Sequence, residues 1–285
     1  MTFAPLSRIR PRRSLLLTSP FKPEAFSQAL GSGADIVCID LEDAYAAARP
    51  ADGRAALKAL SADRGSSASA LFTRINTPKS AEGVRDLAFI LDNAVAIDGL
   101  MLPKLDNAEE VRVVDQILSD AGLPDIELGV IIETAAGLEN AAAIANASPR
   151  VTWIAFGGYD LSAALGVKMA WEPLAYARSR TSSAAALAGV QVLDCPTSST
   201  DPAVLQREAV QARDLGFTGK VCRSADQVPI VHAAFGPSSD ELARAERIVA
   251  AADQGTPGTL VVDGKMIEPP TILGMRRLRA AARGV

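Results

Sequence analysis

Charged side chains follow short apolar runs at several points of this sequence. Glu133 comes after five apolar positions, and Asp160 closes the next run behind Gly157 and Gly158. A buried carboxylate costs free energy of desolvation unless a cation or hydrogen-bond donors meet it. Carboxylates without histidines favour a hard cation, and Mg²⁺ is typically held by one or two carboxylates with water and substrate oxygens. We therefore expect Glu133 and Asp160 to hold Mg²⁺.

One arginine and four further acids stand at comparable positions. Arg74 ends the third apolar run, and its planar guanidinium suits a substrate carboxylate. Gly157 and Gly158 would let a ligand approach the backbone closely. The acids are candidates for an outer shell around the cation or for proton transfer, and they are Asp40, Glu42, Asp43 and Asp106.

Each of these residues also has a simpler interpretation. An acid behind a strand often caps the next helix, and Asp160 before Leu161 and Ser162 fits that pattern. Arg74 would then only neutralise a neighbouring aspartate. Lys104 and Lys220 fit buried ion pairs, although either amine would also serve a Schiff-base aldolase. The site hypothesis therefore depends on whether the fold gathers these residues at one face.

Short apolar runs alternate with longer amphipathic stretches, and this order predicts the fold. The runs of strand length are 14–19, 35–43, 70–76, 99–104, 126–134, 152–158, 190–195 and 217–223. The helical stretches between them are 24–30, 54–62, 81–92, 108–121, 136–145, 173–188 and 202–215, with a short turn after Asp160 as the remaining connection. Eight such steps predict a (β/α)₈ barrel, whose chemistry lies at the carboxyl ends of the strands. A doubly wound sheet is the alternative, but residues 18–23 lack its usual glycine-rich turn.

Composition narrows the class of protein further. The chain has 285 residues, a net charge of −4, three cysteines and one histidine. This charge argues against nucleic-acid binding, and no apolar run reaches the roughly 18 residues of a membrane helix. Three cysteines without C-x-x-C spacing favour a reducing cytoplasm. We expect a barrel domain over 1–236 and a helical extension over 237–285 that packs on a neighbouring subunit.

The motifs at these positions give the sequence a family resemblance. It resembles the citrate lyase β subunit-like family, within the superfamily of HpcH/HpaI aldolases and malyl-CoA lyases. The resemblance runs along nearly the whole chain, from residue 13 to the last helix. The motifs that carry it are Asp40-Leu41-Glu42-Asp43-Ala44, Arg74-Ile75-Asn76, Leu102-Pro103-Lys104, Ile132-Glu133-Thr134, Phe156-Gly157-Gly158-Tyr159-Asp160-Leu161, Gly216-Phe217-Thr218-Gly219-Lys220 and Asp263-Gly264-Lys265-Met266-Ile267.

The resemblance implies a Mg²⁺-dependent carbon–carbon lyase that assembles as trimers or hexamers. Glu133 and Asp160 match the metal ligands, and Arg74 matches the residue that grips the substrate carboxylate. Glu42 and Asp43 fall in the motif that lines the metal site. Asp263 matches an acid that closes over the site of a neighbouring subunit in relatives that cleave acyl-CoA substrates.

The sequence departs from the family pattern where the thioester carrier would enter. Thr18-Ser19-Pro20 and Lys22 replace a Val-Pro-Gly followed by Arg, and Cys222-Arg223-Ser224 replaces Ile-His-Pro. The leading hypothesis is cleavage or condensation of a short 3-hydroxy acid thioester of the malyl-, citramalyl- or citryl-CoA type. The alternatives are a 2-oxo acid aldolase that acts on free acids and a metabolite-binding homologue without turnover.

Overall fold

Eight parallel strands close into a barrel in this computed structural model, which describes residues 12–43, 48–254 and 260–282. They pair in chain order, and β8 returns to β1 with Ser14 opposite Lys220. The strands are β1 (Ser14–Thr18), β2 (Ile36–Asp40), β3 (Ala70–Arg74), β4 (Gly99–Leu102), β5 (Glu127–Ile132), β6 (Val151–Phe156), β7 (Gln191–Asp194) and β8 (Gly219–Cys222). The predicted (β/α)₈ barrel is confirmed.

Helices connect the strands and cover the outside of the barrel. They are α1 (Pro23–Gly31), α2 (Pro50–Ala62), α3 (Ala81–Asp92), α4 (Ala108–Asp120), α5 (Ala135–Glu139), α6 (Ala141–Ala145), α7 (Gly158–Leu165), α8 (Ala175–Ala188), α9 (Pro202–Asp214) and α10 (Gln227–Phe235). A 3₁₀ turn, Glu172–Leu174, precedes α8.

Two connections differ from the sequence-based prediction. The helix expected over 136–145 is divided at Asn140, whose side-chain amide donates to the Asp106 carbonyl at 2.8 Å. The connection behind β6 begins with the eight-residue helix α7 rather than a short turn, and the N-cap of α7 is Gly157. Asp160 therefore lies inside the first turn of α7 and does not cap it.

Large apolar side chains fill the barrel interior. They come from alternate positions of the strands, as the two-residue period of a strand requires, and include Leu15, Phe72, Trp153 and Val221. Phe72 and Trp153 meet edge to face with ring centroids 5.4 Å apart. The glycine at 129 makes room for the indole, because a Cβ there would lie 2.0 Å from Trp153 Cζ2. Among the described residues, these side chains fill the interior of the barrel, so a ligand is expected at the barrel mouth rather than inside.

The only histidine of the sequence lies at the opposite end of the barrel from that mouth. His232 is in α10, and its Nε2 is 2.7 Å from the Ser14 hydroxyl at the start of β1. Ser14 is fully buried and also accepts the Asp35 amide at 3.1 Å. Without exposure Ser14 cannot act as a nucleophile, so the pair serves the structure of the barrel.

Residues 233–285 form a second compact unit. Its described elements are α11 (Ser239–Gln254), an antiparallel hairpin of β9 (Leu260–Val262) and β10 (Lys265–Ile267), and α12 (Pro269–Ala282). Ser238 caps α11 by accepting the Glu241 amide, and Glu241 accepts from the Ser238 amide in return, which is a capping box. The boundary after residue 236 stays a prediction. Within the described ranges, no helix is both long and apolar enough to cross a membrane.

Candidate functional site

Glu133 is a buried carboxylate at the carboxyl end of the barrel, one residue beyond β5. It is 3% exposed, and its Oε1 accepts the backbone amide of Lys104 at 2.8 Å. Lys104 has a φ of 54°, in the left-handed region that non-glycine residues seldom adopt. In this conformation the backbone N–H of Lys104 points at the Glu133 carboxylate. Such local strain is typical of functional sites.

Burial changes the acidity of this carboxyl group. The pKa of Glu133 is raised to about 7, first by desolvation and then by the negative charges of Asp160 and Glu42, against the lowering effect of the Lys104 amide and Arg74. The positive charge around Glu133 is therefore too small to keep its carboxyl group fully ionised near neutral pH. A bound cation would stabilise the ionised form, which is the chemical property expected of a metal ligand.

Arg74 and Glu42 form an ion-pair network beside Glu133. Arg74 donates to both carboxylate oxygens of Asp40, at 2.7 and 2.5 Å, and its Nη1 lies 3.0 Å from Glu42. Glu42 also pairs with the Lys104 ammonium. Arg74 thus neutralises a neighbouring aspartate, as the simpler interpretation held. Three of the five guanidinium donors of an arginine are engaged here, so an incoming carboxylate would compete with Glu42.

Gly157 and Asp160 bring the start of α7 to the same place. A Cβ on Gly157 would lie 2.3 Å from Glu133 Cβ and 2.7 Å from Glu133 Oε2. The glycine therefore admits the Glu133 side chain itself. Gly158 is equally confined, with Cys195 Sγ 3.1 Å from a Cβ built there. Asp160 is exposed and close enough for its charge to raise the pKa of Glu133.

The remaining predicted acids lie in other surroundings. Asp106 pairs with Lys79 and accepts the Thr134 hydroxyl at 2.7 Å, and the Lys79 bond is the main reason that its pKa is lowered. Asp43 follows Glu42 and is partly exposed. Asp263 belongs to the C-terminal unit, where it is exposed at the hairpin turn and accepts from Arg247 at 3.2 Å. By contrast, Arg74, Glu42 and Asp160 lie close enough to Glu133 for their charges to change its pKa.

Both candidate lysines are engaged in ion pairs. Lys220 is 1% exposed and donates to Asp194 and to the Cys195 carbonyl, each at 2.7 Å. Burial lowers the pKa of Lys220, but the charge of Asp194 outweighs it and raises the pKa overall. The pKa of Lys104 is raised in the same way, against desolvation, by its bond to Glu42. A Schiff-base amine needs a lowered pKa, so the environments of both lysines oppose that chemistry.

Asp194 has a second cationic partner, Arg178, which the sequence did not indicate. Arg178 in α8 donates to Asp194 at 2.9 Å, and its guanidinium lies 4.8 Å from the Phe156 ring. An arginine in the first turn of an alanine-rich helix carries no sequence signal of such a contact. This buried group joins α8 to β7 and β8.

The donor atoms at the mouth suit Mg²⁺ rather than a softer metal. Glu133 and Asp160 supply carboxylate oxygens, the hard donors that this ion prefers. Among the described residues, no three acidic, histidine or cysteine side chains form a complete metal-binding group. Mg²⁺ commonly takes only one or two carboxylates and keeps waters and substrate oxygens in its other positions. Glu133 and Asp160 therefore fit this ion.

Comparison with known proteins agrees with this description. The family model for HpcH/HpaI aldolase/citrate lyase matches residues 13–225. The chain is 34% identical to a citrate lyase subunit beta-like protein of Deinococcus radiodurans, covering 93% of this chain and 95% of that protein. It is 32% identical to a (3S)-malyl-CoA thioesterase of Cereibacter sphaeroides, covering 96% of each.

A solved structure gives the same result for the fold. The CitE protein of Mycobacterium tuberculosis, crystallised with magnesium, acetoacetate and coenzyme A, superimposes with a TM-score of 0.81 at 30% identity. The match covers 98% of this chain and all of that chain. The similarity therefore includes the barrel and the C-terminal unit.

Proposed function

Because the chain belongs to the HpcH/HpaI aldolase/citrate lyase family, a family of lyases, we propose that it is a Mg²⁺-dependent carbon–carbon lyase. Its substrate is a short 3-hydroxy acid thioester of the malyl-, citramalyl- or citryl-CoA type, which it cleaves or forms by condensation. The related CitE protein was crystallised with magnesium and coenzyme A, which supports both the cation and the thioester.

The observation that carries the proposal is the buried Glu133 carboxylate beside Asp160. Its pKa of about 7, raised first by burial and then by Asp160, indicates a group that gains stability from a cation. Glu133 and Asp160 would hold Mg²⁺. When bound there, the ion supplies Lewis acidity that stabilises negative charge developing on substrate oxygens.

The side chains around the ion would bind the substrate and move its protons. Arg74 binds the substrate carboxylate, in competition with Glu42 at its Nη1. Cleavage beside the hydroxyl-bearing carbon removes the hydroxyl proton and leaves the bonding electrons on the departing fragment as an enolate. Glu42 and Asp43 are the proposed proton carriers at the mouth. Gly157 leaves room for the Glu133 side chain, and the missing side chains of Gly157 and Gly158 would let the substrate approach the backbone closely.

The C-terminal unit supplies the last group of the proposed site. Asp263, from a neighbouring subunit of a homotrimer or hexamer, would protonate the thioester enolate. Its exposure at a hairpin turn suits a residue that reaches another subunit. The three buried free thiols, Cys38, Cys195 and Cys222, suit the reducing cytoplasm that we propose as its location.

Replacing the central carboxylate tests the function. We expect Glu133→Ala to weaken Mg²⁺ binding at least about tenfold, since a ligand is lost, and to abolish thioester cleavage. Asp214→Ala, which removes a carboxylate 67% exposed at the end of α9, is the matched control and should change neither property. Unchanged Mg²⁺ affinity and cleavage in Glu133→Ala would show that the site is assigned wrongly.

A second candidate is a 2-oxo acid aldolase that acts on free acids. The residues after β1 and β8 favour it, because Thr18 and Arg223 stand where the family has its Val-Pro-Gly and His-Pro motifs. A Mg²⁺-supplemented screen separates the two. It compares malyl-, citramalyl-, methylmalyl- and citryl-thioesters with the free hydroxy and oxo acids. Turnover of the free acids alone would establish the second candidate.

A further inference from the structure

Lys104 contacts two of the acids on which the proposed function depends, through different atoms. Its backbone amide donates to Glu133 Oε1 at 2.8 Å, and its ammonium contacts Glu42 Oε1. The Lys104 side chain is 41% exposed, so its charge is only partly removed from water. The proposed mechanism leaves this ammonium without a role.

Glu42 is held by two cations, one on each of its oxygens. Oε1 contacts the Lys104 ammonium, and Oε2 lies 3.0 Å from Arg74 Nη1. The Glu42 side chain is only 11% exposed, and an ionised carboxylate so far removed from water needs a partner. Its backbone is fixed as well, because the Glu42 amide donates to Asp40 at 3.0 Å. Glu42 can therefore give up one of its cations without being left unpaired.

Arg74 binds its two acids unequally. Its Nε and Nη2 donate to the two oxygens of Asp40, at 2.7 and 2.5 Å, whereas Nη1 alone faces Glu42. A bidentate pair of this kind is stronger than a single contact. A carboxylate that arrives at Arg74 would therefore displace Glu42 rather than Asp40. The oxygen that the arriving group frees is Glu42 Oε2.

We propose that Lys104 is a positioning residue that holds Glu42 in place while the substrate carboxylate replaces Glu42 on Arg74. After this exchange Oε1 stays on the ammonium, and Oε2 is free to accept the hydroxyl proton of the substrate. As the O–H and C–C bonds break, the hydroxyl-bearing carbon becomes a carbonyl, and the electrons of the C–C bond pass to the departing enolate. The proposed base is thus released only when a substrate carboxylate is bound. The inference rests on the proposed lyase function and adds a step to it.

A double-mutant cycle on carboxylate binding tests the exchange. Calorimetry on the Mg²⁺-loaded protein would measure malonate affinity in wild type, Lys104→Met, Glu42→Gln and the double variant. We expect Lys104→Met to weaken malonate binding at least about tenfold, because Glu42 would have no cation left once it gives up Arg74. In the presence of Glu42→Gln the same change should alter the affinity by less than about twofold, since an amide needs no counter-charge.

Two results of this cycle would overturn the inference. Equal weakening with Glu42 and with Glu42→Gln would mean that the Lys104 ammonium binds malonate itself. Unchanged affinity in all variants without Lys104 would mean that Glu42 does not depend on it. Lys79→Met is the matched control, because Lys79 is 40% exposed and also pairs with a carboxylate, that of Asp106. It should bind malonate as wild type does.

Kinetics separate this inference from the proposed function. With the thioester that wild type cleaves, Lys104→Met should lower kcat at least about tenfold, because its proton acceptor is displaced, and Lys79→Met should not. Coupled malonate binding in a protein that cleaves no thioester would uphold the exchange and reject the lyase function. Thioester cleavage with the same kcat in wild type and Lys104→Met would uphold the lyase function and reject the role of Lys104.

Discussion

Glu133 combines two properties that conflict in the absence of a cation. It is nearly inaccessible to water, yet the nearest acids, Asp160 and Glu42, repel its charge. The backbone amide of Lys104 offsets only part of this cost. A raised carboxyl pKa also means that the folded chain binds more protons than the unfolded one between about pH 4.5 and 7. The contribution of Glu133 to stability without metal therefore falls as pH rises through that window.

Metal binding should consequently depend on pH through Glu133. Protons compete with Mg²⁺ for the carboxylate below its pKa of about 7. We expect the Mg²⁺ affinity to fall by up to about tenfold for each pH unit below 7 and to level off above about pH 8. Titration calorimetry at pH 6, 7 and 8 measures this. Glu133→Gln is the control, and a pH dependence that survives in it would assign the titration to another group.

Gly157 controls how closely the α7 loop approaches that carboxylate. We expect Gly157→Ala to weaken Mg²⁺ binding at least about tenfold, because a methyl group 2.3 Å from Glu133 Cβ must displace the side chain. Gly31→Ala is a matched control, since a Cβ at that helical position meets nothing within 4 Å. Calorimetry and thermal unfolding of both variants measure the effect. Wild-type Mg²⁺ affinity in Gly157→Ala would show that the loop adapts.

The elements β7, β8 and α8 are joined by buried charge rather than by apolar contact alone. Asp194 accepts from Lys220 at 2.7 Å and from Arg178 at 2.9 Å, and all three side chains are at most 5% exposed. Burial raises the pKa of Asp194, but the charges of Lys220 and Arg178 outweigh it and lower the pKa overall. Asp194 therefore remains ionised inside the protein, and both Lys220 and Arg178 are needed to compensate its buried charge.

Removing one of those cations should destabilise the barrel without removing the chemistry. Lys220→Met leaves Asp194 with Arg178 alone, and we expect a loss of about 3 kcal/mol in the free energy of unfolding. Urea denaturation measures the loss, and activity per folded molecule should stay near that of wild type. If Lys220→Met were inactive but as stable as wild type, the result would instead favour a Schiff-base role for the Lys220 amine. Borohydride trapping with substrate would then label the wild-type chain.

The whole chain consists of a barrel unit and a C-terminal unit, and the proposed site takes residues from both. The acids near Glu133 belong to the barrel unit, while Asp263 belongs to the unit of residues 233–285. A symmetric oligomer lets the C-terminal unit of one subunit serve the barrel of another. The function proposed above then requires assembly, because a separated subunit would lack its acid.

Mixed oligomers test whether Asp263 acts on a neighbouring barrel. Glu133→Ala and Asp263→Asn should each be inactive as pure proteins. Co-expressed at equal levels, they should regain about one quarter of wild-type activity, since random mixing pairs an intact barrel with an intact tail at that frequency. Cleavage rates of the purified mixture measure this, with separately purified and unmixed variants as controls. No recovery in oligomers shown to be mixed would mean that Asp263 acts within its own subunit, and full activity of pure Asp263→Asn would mean that it does not act in the reaction.

The sequence by itself determined the barrel and the order of its elements. Hydrophobic period and strand length are local properties, so β1 to β8 follow from runs such as 126–134 without knowledge of their neighbours. The same logic located Glu133 and Asp160, because residues directly behind parallel strands share one end of the barrel. The positions of Arg74, Lys104 and Lys220 behind or within strands also predicted charged groups at that end of the barrel.

Only the tertiary structure decided what those groups contact. Arg74 engages Asp40 and Glu42, Lys220 engages Asp194, and Gly157 admits Glu133 rather than open space. Arg178 binds Asp194 from the first turn of α8, and Arg223 lies on Tyr159, and the sequence carries no signal of either contact. Contacts of this kind join residues far apart in sequence, and burial sets their charges and pKa values. Both depend on how the elements pack, which the local pattern of residue types does not specify.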